Sequence, residues 1–377
     1  MIKTETFCKI LLETGINFYT GIPDSLLKPI CSFFDVNLKK KSHIIAANEG
    51  SAIALAMGHY LGSKTLPLVY MQNSGIGNSV NPLLSLTDKE VYSIPMILLI
   101  GWRGEPGVKD EPQHKKQGKV TIDLLETMNI PHKILSKEKK ISVIRKEIKE
   151  IAKLAMKEKC PVALVVKKNS FSNYKSISKK KYDKNSLSRS EAIEYVTSKI
   201  KKNTIVVATT GVTSRELLES RIKKKQSSEG DFLTVGGMGH ASQISLGIAL
   251  QQKKRKVICI DGDGSLLMHM GSLASIVDMN CPNYIYILLN NGVHDSVGGQ
   301  KIGAHKIDFC VIAKGCGFKK ILSIKNKDQL NKIKNIQSFR GPIFIEIFIK
   351  PGFKKDLMRP NSTPKENKEL FLRSLGI

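Results

Sequence analysis

The chain has 377 residues, 41% of them hydrophobic, and carries 60 Lys and Arg against 33 Asp and Glu, a formal charge of +27. That length suits two domains, and compact apolar runs such as residues 94–100 and 284–289 exclude a disordered chain. The same runs are too short to span a bilayer, so no membrane partner is expected.

The charge raises a reading as a non-enzymatic, basic nucleic-acid-binding protein. Against it, the lysines are spread over helix faces and linkers, aromatic residues make up 6% of the chain, and no aromatic–basic platform is present. A solvated Lys-rich surface is the plainer reading, and no nucleic-acid partner is expected. Residues 1–15 carry acidic residues on an amphipathic spacing and lack the apolar core of a secretory signal. Seven scattered cysteines form no CxxC pair, which suits reduced thiols and a cytoplasmic protein.

In chain order, residues 17–21, 43–47, 66–71, 95–101 and 161–166 are read as strands separated by amphipathic helices. Apolar periodicity is then lost in a stretch of Lys, Ser and Asn, and a linker is placed at 169–188. The alternation resumes with strands at 204–211, 232–237, 256–264, 283–292 and 342–349. Consecutive Val, Ile and Leu imply burial on both faces, as in parallel sheets covered by helices. The expectation is an α/β chain of two doubly wound parallel-sheet domains, residues 1–168 and 189–377, with ligands beyond the strands' carboxyl ends.

The strand at 256–260 runs into Asp261-Gly262-Asp263-Gly264-Ser265, and Asn290-Asn291 close the next strand, with Asn290 26 positions after Gly264. Both ends therefore emerge on one sheet edge. Glycines let backbone N–H groups approach phosphate oxygens, while Asp and Asn supply hard oxygen ligands, so the pair reads as a site for a diphosphate and Mg2+. Ordinary strand-to-helix turns would carry either motif alone; their coupling favours the site.

GDGS followed by NN at this spacing resembles the signature of thiamine diphosphate-dependent enzymes. The resemblance implies a pyrimidine-binding domain joined directly to a diphosphate-binding domain, without the middle domain of longer decarboxylases. It implies Asp263, Asn291 and the carbonyl of Val293 as Mg2+ ligands, with Gly262, Gly264, Ser265 and Asn290 shaping the diphosphate cradle. In Gly236-Gly237-Met238-Gly239, Met238 matches the bulky apolar residue beneath the bent cofactor, and the Gly236 carbonyl would accept a hydrogen bond from the 4′-amino group. In the first half, Glu49 follows a strand and opens an Ala- and Gly-rich helix. Alone it would be a first-turn acid favoured by the helix dipole; the resemblance implies the catalytic glutamate that hydrogen-bonds N1′ of the aminopyrimidine.

Segments 20–29 (TGIPDSLLKP) and 101–114 (GWRGEPGVKDEPQH), together with 72–83 and 290–300, resemble the phosphonopyruvate decarboxylase family closely, with sulfopyruvate decarboxylases as near relatives. This implies a carboxy-lyase that converts 3-phosphonopyruvate, a small anionic 2-oxoacid, into phosphonoacetaldehyde and CO2 in phosphonate biosynthesis of the 2-aminoethylphosphonate type. A carboligase is the alternative within the cofactor class, though the missing middle domain disfavours a synthase. A compact dianion calls for backbone N–H groups with a cation or hydroxyl, and Ser25, Arg103, Gln113 and His114 are the candidates. Each has a plainer reading: Ser25 as a helix cap, Arg103 paired with Glu105 or Asp110, His114 as a loop residue. His294 and Asp295 are expected at the reacting carbon, with return of a proton after CO2 leaves as their role. In such enzymes the two domains meet across subunits, so a homodimer or higher homo-oligomer with active sites at the subunit interface is expected.

Overall fold

The computed structural model describes residues 1–174, 182–295, 297–354 and 356–377, with all side chains among them except those of 304 and 305. The chain divides into two compact units, Met1–Lys179 and Lys180–Ile377.

The first unit holds strands β1 (Tyr19–Gly21), β2 (His43–Ile45), β3 (Leu68–Gln72), β4 (Met96–Gly101), β5 (His132–Leu135) and β6 (Pro161–Val166). Helices α1 (Thr4–Glu13), α2 (Lys28–Asn37), α3 (Glu49–Ser63), α4 (Ile76–Pro82), α5 (Pro112–Thr127) and α6 (Ile141–Glu158) accompany them. All strand pairings are parallel, in the order β2-β1-β3-β4-β6-β5. Along β4, Ile97 and Leu99 enter one core while Met96, Leu98 and Ile100 enter the core on the opposite face. Side chains that alternate faces yet stay apolar on both are the reason this strand reads as one continuous hydrophobic run.

The second unit holds β7 (Ile205–Ala208), β8 (Asp231–Leu233), β9 (Val257–Gly262), β10 (Tyr284–Asn290), the short hairpin β11 (Val293–His294) and β12 (Gln300–Lys301), then β13 (Lys320–Ile324) and β14 (Ile343–Phe348). Its helices are α7 (Arg189–Ser198), α8 (Val212–Lys223), α9 (Ala241–Gln251), α10 (Asp263–Met268), α11 (Ser272–Met279), α12 (Phe309–Cys316) and α13 (Pro364–Leu375). The main sheet is again wholly parallel, in the order β13-β14-β10-β9-β7-β8. Renumbered within each unit, both sheets follow one order, 2-1-3-4-6-5, so two stretches without a shared sequence repeat have one architecture.

Each sheet has a strand that the sequence pattern passes over. These are β5 and β13, edge strands that stay partly exposed and carry Lys133 and Lys320, so their apolar runs are weak.

Of the expected linker, residues 175–181 lie outside the described residues. Before them, Phe171 bridges Ile2 and packs its ring, tilted, against Phe7 in the first unit. After them, Leu187 bridges Ile349, and Ser188 with Glu191 forms a capping box at the start of α7. Among the described residues, no helix is long and apolar enough to cross a membrane.

Candidate active site

In the second unit the polar cluster forms where β9 and β10 end. Their register sets Gly262 beside Leu289, which brings Asp263 level with the Asn290–Asn291 pair. Asp263 opens α10 and is buried; its carboxylate accepts N–H donors from Gly264 (2.9 Å) and Gly292 (2.6 Å). Burial outweighs these bonds and pushes the carboxyl up to about 7. A carboxylate whose charge is penalised by burial gains from a divalent cation, and its hard oxygens are the ligand type such a cation takes. Among the described residues no three His, Cys, Asp or Glu side chains group as a metal site, and a set of one carboxylate, one amide and one carbonyl is of a different kind.

The two asparagines are each held from behind. Asn290 donates its amide N–H to Glu346 (2.8 Å), while Asn291 donates to Asp295 (2.7 Å) and accepts at Oδ1 from the Val293 N–H (3.0 Å). Asp295 also takes the guanidinium of Arg189 (2.6 Å) and the Gly352 N–H (3.0 Å). The Asp295 carboxylate thus ties Asn291, Arg189 and the Gly352 backbone together. Ser265, expected in the cradle, lies 3.1 Å from the Thr209 hydroxyl and accepts from the Gly239 N–H (3.0 Å). Its role is to tie the GDGS turn to the loop that carries Met238.

That loop needs glycine: Gly236, Gly237 and Gly239 have φ of 76°, 58° and 90°. At Gly264 the constraint is packing, because a Cβ there would lie 3.0 Å from the His294 ring, a tight approach, and 3.5 Å from the Met238 methyl. His294 and Met238 thus converge on the GDGS turn. Burial lowers the His294 pKa to about 4, so its ring is neutral near pH 7. A Cβ built on Gly262, by contrast, meets nothing within 4 Å, which leaves the open space that a diphosphate cradle needs. The residues present therefore fit a diphosphate with a hard cation.

In the first unit, Asn48 caps α3 by accepting from the Ser51 N–H (2.8 Å), which sets Glu49 in the first turn. Glu49 is 5% exposed and accepts from the Asn78 amide (2.7 Å). Gly75 packs so closely that a Cβ would lie 2.6 Å from the Glu49 side chain.

Beyond β1 and β4 lies a second polar cluster. Arg103 grips Asp110 through two nitrogens, with the Nε contact at 2.8 Å, and donates to the Ser25 hydroxyl at 2.8 Å. Although burial works against it, Asp110 is held well below the usual carboxylate range by Arg103 and the N–H groups of Glu111 and Gly104. The plainer readings are thereby sorted: Arg103 pairs with Asp110, while Glu105 pairs with Lys167 (2.6 Å). Ser25 caps nothing, since the N-cap of α2 is Leu27. His114 lies in the first turn of α5 rather than in a loop; it is buried, and its Nδ1 and Gln113 Oε1 have no hydrogen-bond partner among the described residues.

Sequence reasoning passed over three members of these clusters. Asp24 is fully buried, bonded to Gln72 (2.7 Å) and to the N–H of Leu26, with its pKa raised by burial. Asn73 clamps the Arg103 backbone through both its N–H (3.1 Å) and its carbonyl (2.8 Å). Arg189 reaches Asp295 across 106 positions of sequence, a separation that no local pattern signals.

Two family profiles match this chain: "Thiamine pyrophosphate enzyme, N-terminal TPP binding domain" over residues 3–126 and "Thiamine pyrophosphate enzyme, C-terminal TPP binding domain" over residues 211–347. Among characterised proteins, the phosphonopyruvate decarboxylase of Streptomyces viridochromogenes is 30% identical, covering 94% of this chain and 90% of that protein. The phosphonopyruvate decarboxylase of Streptomyces hygroscopicus is 30% identical over 97% and 92%. The chain belongs to the thiamine pyrophosphate-dependent decarboxylases. The sulfopyruvate decarboxylase of Methanosarcina acetivorans is a further relative, 27% identical over 99% of this decarboxylase and 97% of that protein. The two units of the decarboxylase, each built on a six-stranded parallel sheet, are thus its two cofactor-binding domains, with no middle domain between them.

Proposed function

We propose that the decarboxylase converts 3-phosphonopyruvate into phosphonoacetaldehyde and CO2, with thiamine diphosphate and Mg2+, as a step of phosphonate biosynthesis. The observation that carries the substrate is the likeness to two phosphonopyruvate decarboxylases, which runs through both domains rather than through the cofactor motifs alone. Sulfopyruvate is the second reading, favoured by the full-length relative of that name.

Bound thiamine diphosphate supplies the electron sink that lets the bond from the oxo carbon to the carboxylate break. Asp263, Asn291 and the Val293 carbonyl would hold Mg2+ against the diphosphate, beside the open face of Gly262. Met238, on its glycine-rich loop, would support the bent cofactor, with the Gly236 carbonyl accepting from the 4′-amino group. Glu49 would hold and release a proton at N1′ of the aminopyrimidine, acting as general acid and base. Ser25, Arg103, Gln113 and His114 would take the phosphonate. The Arg103 fork is filled by Asp110, so His114 Nδ1, which has no hydrogen-bond partner among the described residues and can carry an N–H, is the donor left to meet the phosphonate. His294 would hold a neutral ring at the reacting carbon, where a proton must replace the departing CO2.

The same reading includes at least a homodimer with active sites at the subunit interface, supported by the division of the candidate residues between two domains. It also includes a cytoplasmic setting, supported by seven unpaired cysteines. The substrate is tested by steady-state kinetics with thiamine diphosphate and Mg2+ on each oxoacid separately. The reading expects the larger kcat/KM on phosphonopyruvate; a larger value on sulfopyruvate would replace it.

A further inference from the structure

A metal-ligating amide has two ends, and only its oxygen can bind a hard cation. The amide of Asn291 is set by Asp295, which accepts from its NH2 at 2.7 Å while Oδ1 stays on the side of the Val293 N–H. As a carboxylate, Asp295 can only accept, so it rejects the flipped amide. Asp295 is itself nearly buried, at 10% side-chain exposure, and a carboxylate there needs a counter-charge. Arg189 provides it from 2.6 Å with a side chain 7% exposed, and the capping box at Ser188 fixes where that side chain starts. The Gly352 N–H closes the far side of the carboxylate. Glu216, 3.8 Å from Arg189, touches the same arginine without reaching Asn291.

We propose that Arg189 and Asp295 are positioning residues for the metal: Arg189 fixes the Asp295 carboxylate, which turns the Asn291 amide oxygen toward the cation. The inference rests on the reading of Asn291 as a Mg2+ ligand. It gives Asp295 a role in metal affinity rather than in proton transfer, and it makes the end of the inter-domain segment part of the metal site's support.

The test uses the full-length protein with thiamine diphosphate and Mn2+ in place of Mg2+, free Mn2+ being counted by electron paramagnetic resonance. Removing an outer partner of a metal ligand weakens metal binding by roughly 10- to 100-fold. That loss is expected for Asp295→Asn, for Arg189→Met, and for the double variant Arg189→Met with Asp295→Leu. The double variant removes both charges together and so avoids stranding one in the interior. Glu216→Gln, which alters the 3.8 Å contact to Arg189 and leaves the Arg189–Asp295 and Asp295–Asn291 bonds in place, should stay within about twofold of the wild type by the same reasoning. A folded double variant, or a folded Asp295→Asn variant, with wild-type Mn2+ affinity would overturn the proposal. Wild-type protein that takes up no Mn2+ would instead overturn the metal reading beneath it.

Discussion

Glu49 owes its place to an Asn48 cap and to a glycine at 75 that leaves room for its side chain. Its role as proton relay makes a sharp expectation: Glu49→Gln should slow exchange of the cofactor's C2 proton by roughly 100-fold or more, within the range of general acid–base contributions. Cofactor affinity should stay largely intact. Proton exchange followed by NMR reads the first and calorimetry the second, and wild-type exchange would remove Glu49 from the relay. Glu216 offers a stability test at the same scale. Burial pushes its carboxyl up to about 7, with Asp295 and Glu219 acting in the same direction and Arg189 against them. From its ordinary 4.5 to about 7 the native state keeps a proton that the unfolded chain releases. The stability tied to that proton is present at low pH and lost as pH rises through the window. Glu216→Gln should therefore reduce the loss of unfolding free energy between pH 5 and pH 8 by about 2 kcal/mol, measured by urea denaturation at both values.

The working parts of this fold are strand-to-helix turns, and their precision comes from close backbone approach. Helix α5 shows it: a Cβ on Gly118 would lie 1.8 Å from the Gly104 carbonyl oxygen, so the helix packs directly on the turn that carries Arg103. Gly118→Ala should lower the unfolding free energy by about 2 kcal/mol and displace that turn. A thermal melt checks the first effect and a raised KM the second; unchanged values would mean that the helix shifts freely. Strands buried on both faces, the GDGS and NN turns and the Glu49 helix start were legible in sequence because each is written in consecutive residues. Strands β5 and β13 were not, since half-covered edges need few apolar residues. Nor were the pairings Arg189–Asp295, Asn290–Glu346 and Arg103–Asp110. Either long separation hides such a pair, or several acids compete for one cation and only packing decides.

At the scale of the molecule, the two domains repeat one strand order, which places a set of carboxyl-end turns on each. One set carries Glu49, Arg103 and their partners, and the other carries Asp263, the asparagines and His294. If the substrate is the proposed phosphonate, the +27 charge would raise its encounter rate and that of the diphosphate cofactor through a net positive field. The candidate chemistry itself uses few of the 60 cationic residues, Arg103 and Arg189 foremost. The central claim is that these turns serve the decarboxylation of phosphonopyruvate. Phosphorus-31 NMR of the purified protein with phosphonopyruvate and Mg2+, run with and without thiamine diphosphate, tests it most directly. The account predicts conversion to phosphonoacetaldehyde, with one CO2 per turnover, only when the cofactor is present; phosphonopyruvate left unchanged in its presence would contradict it.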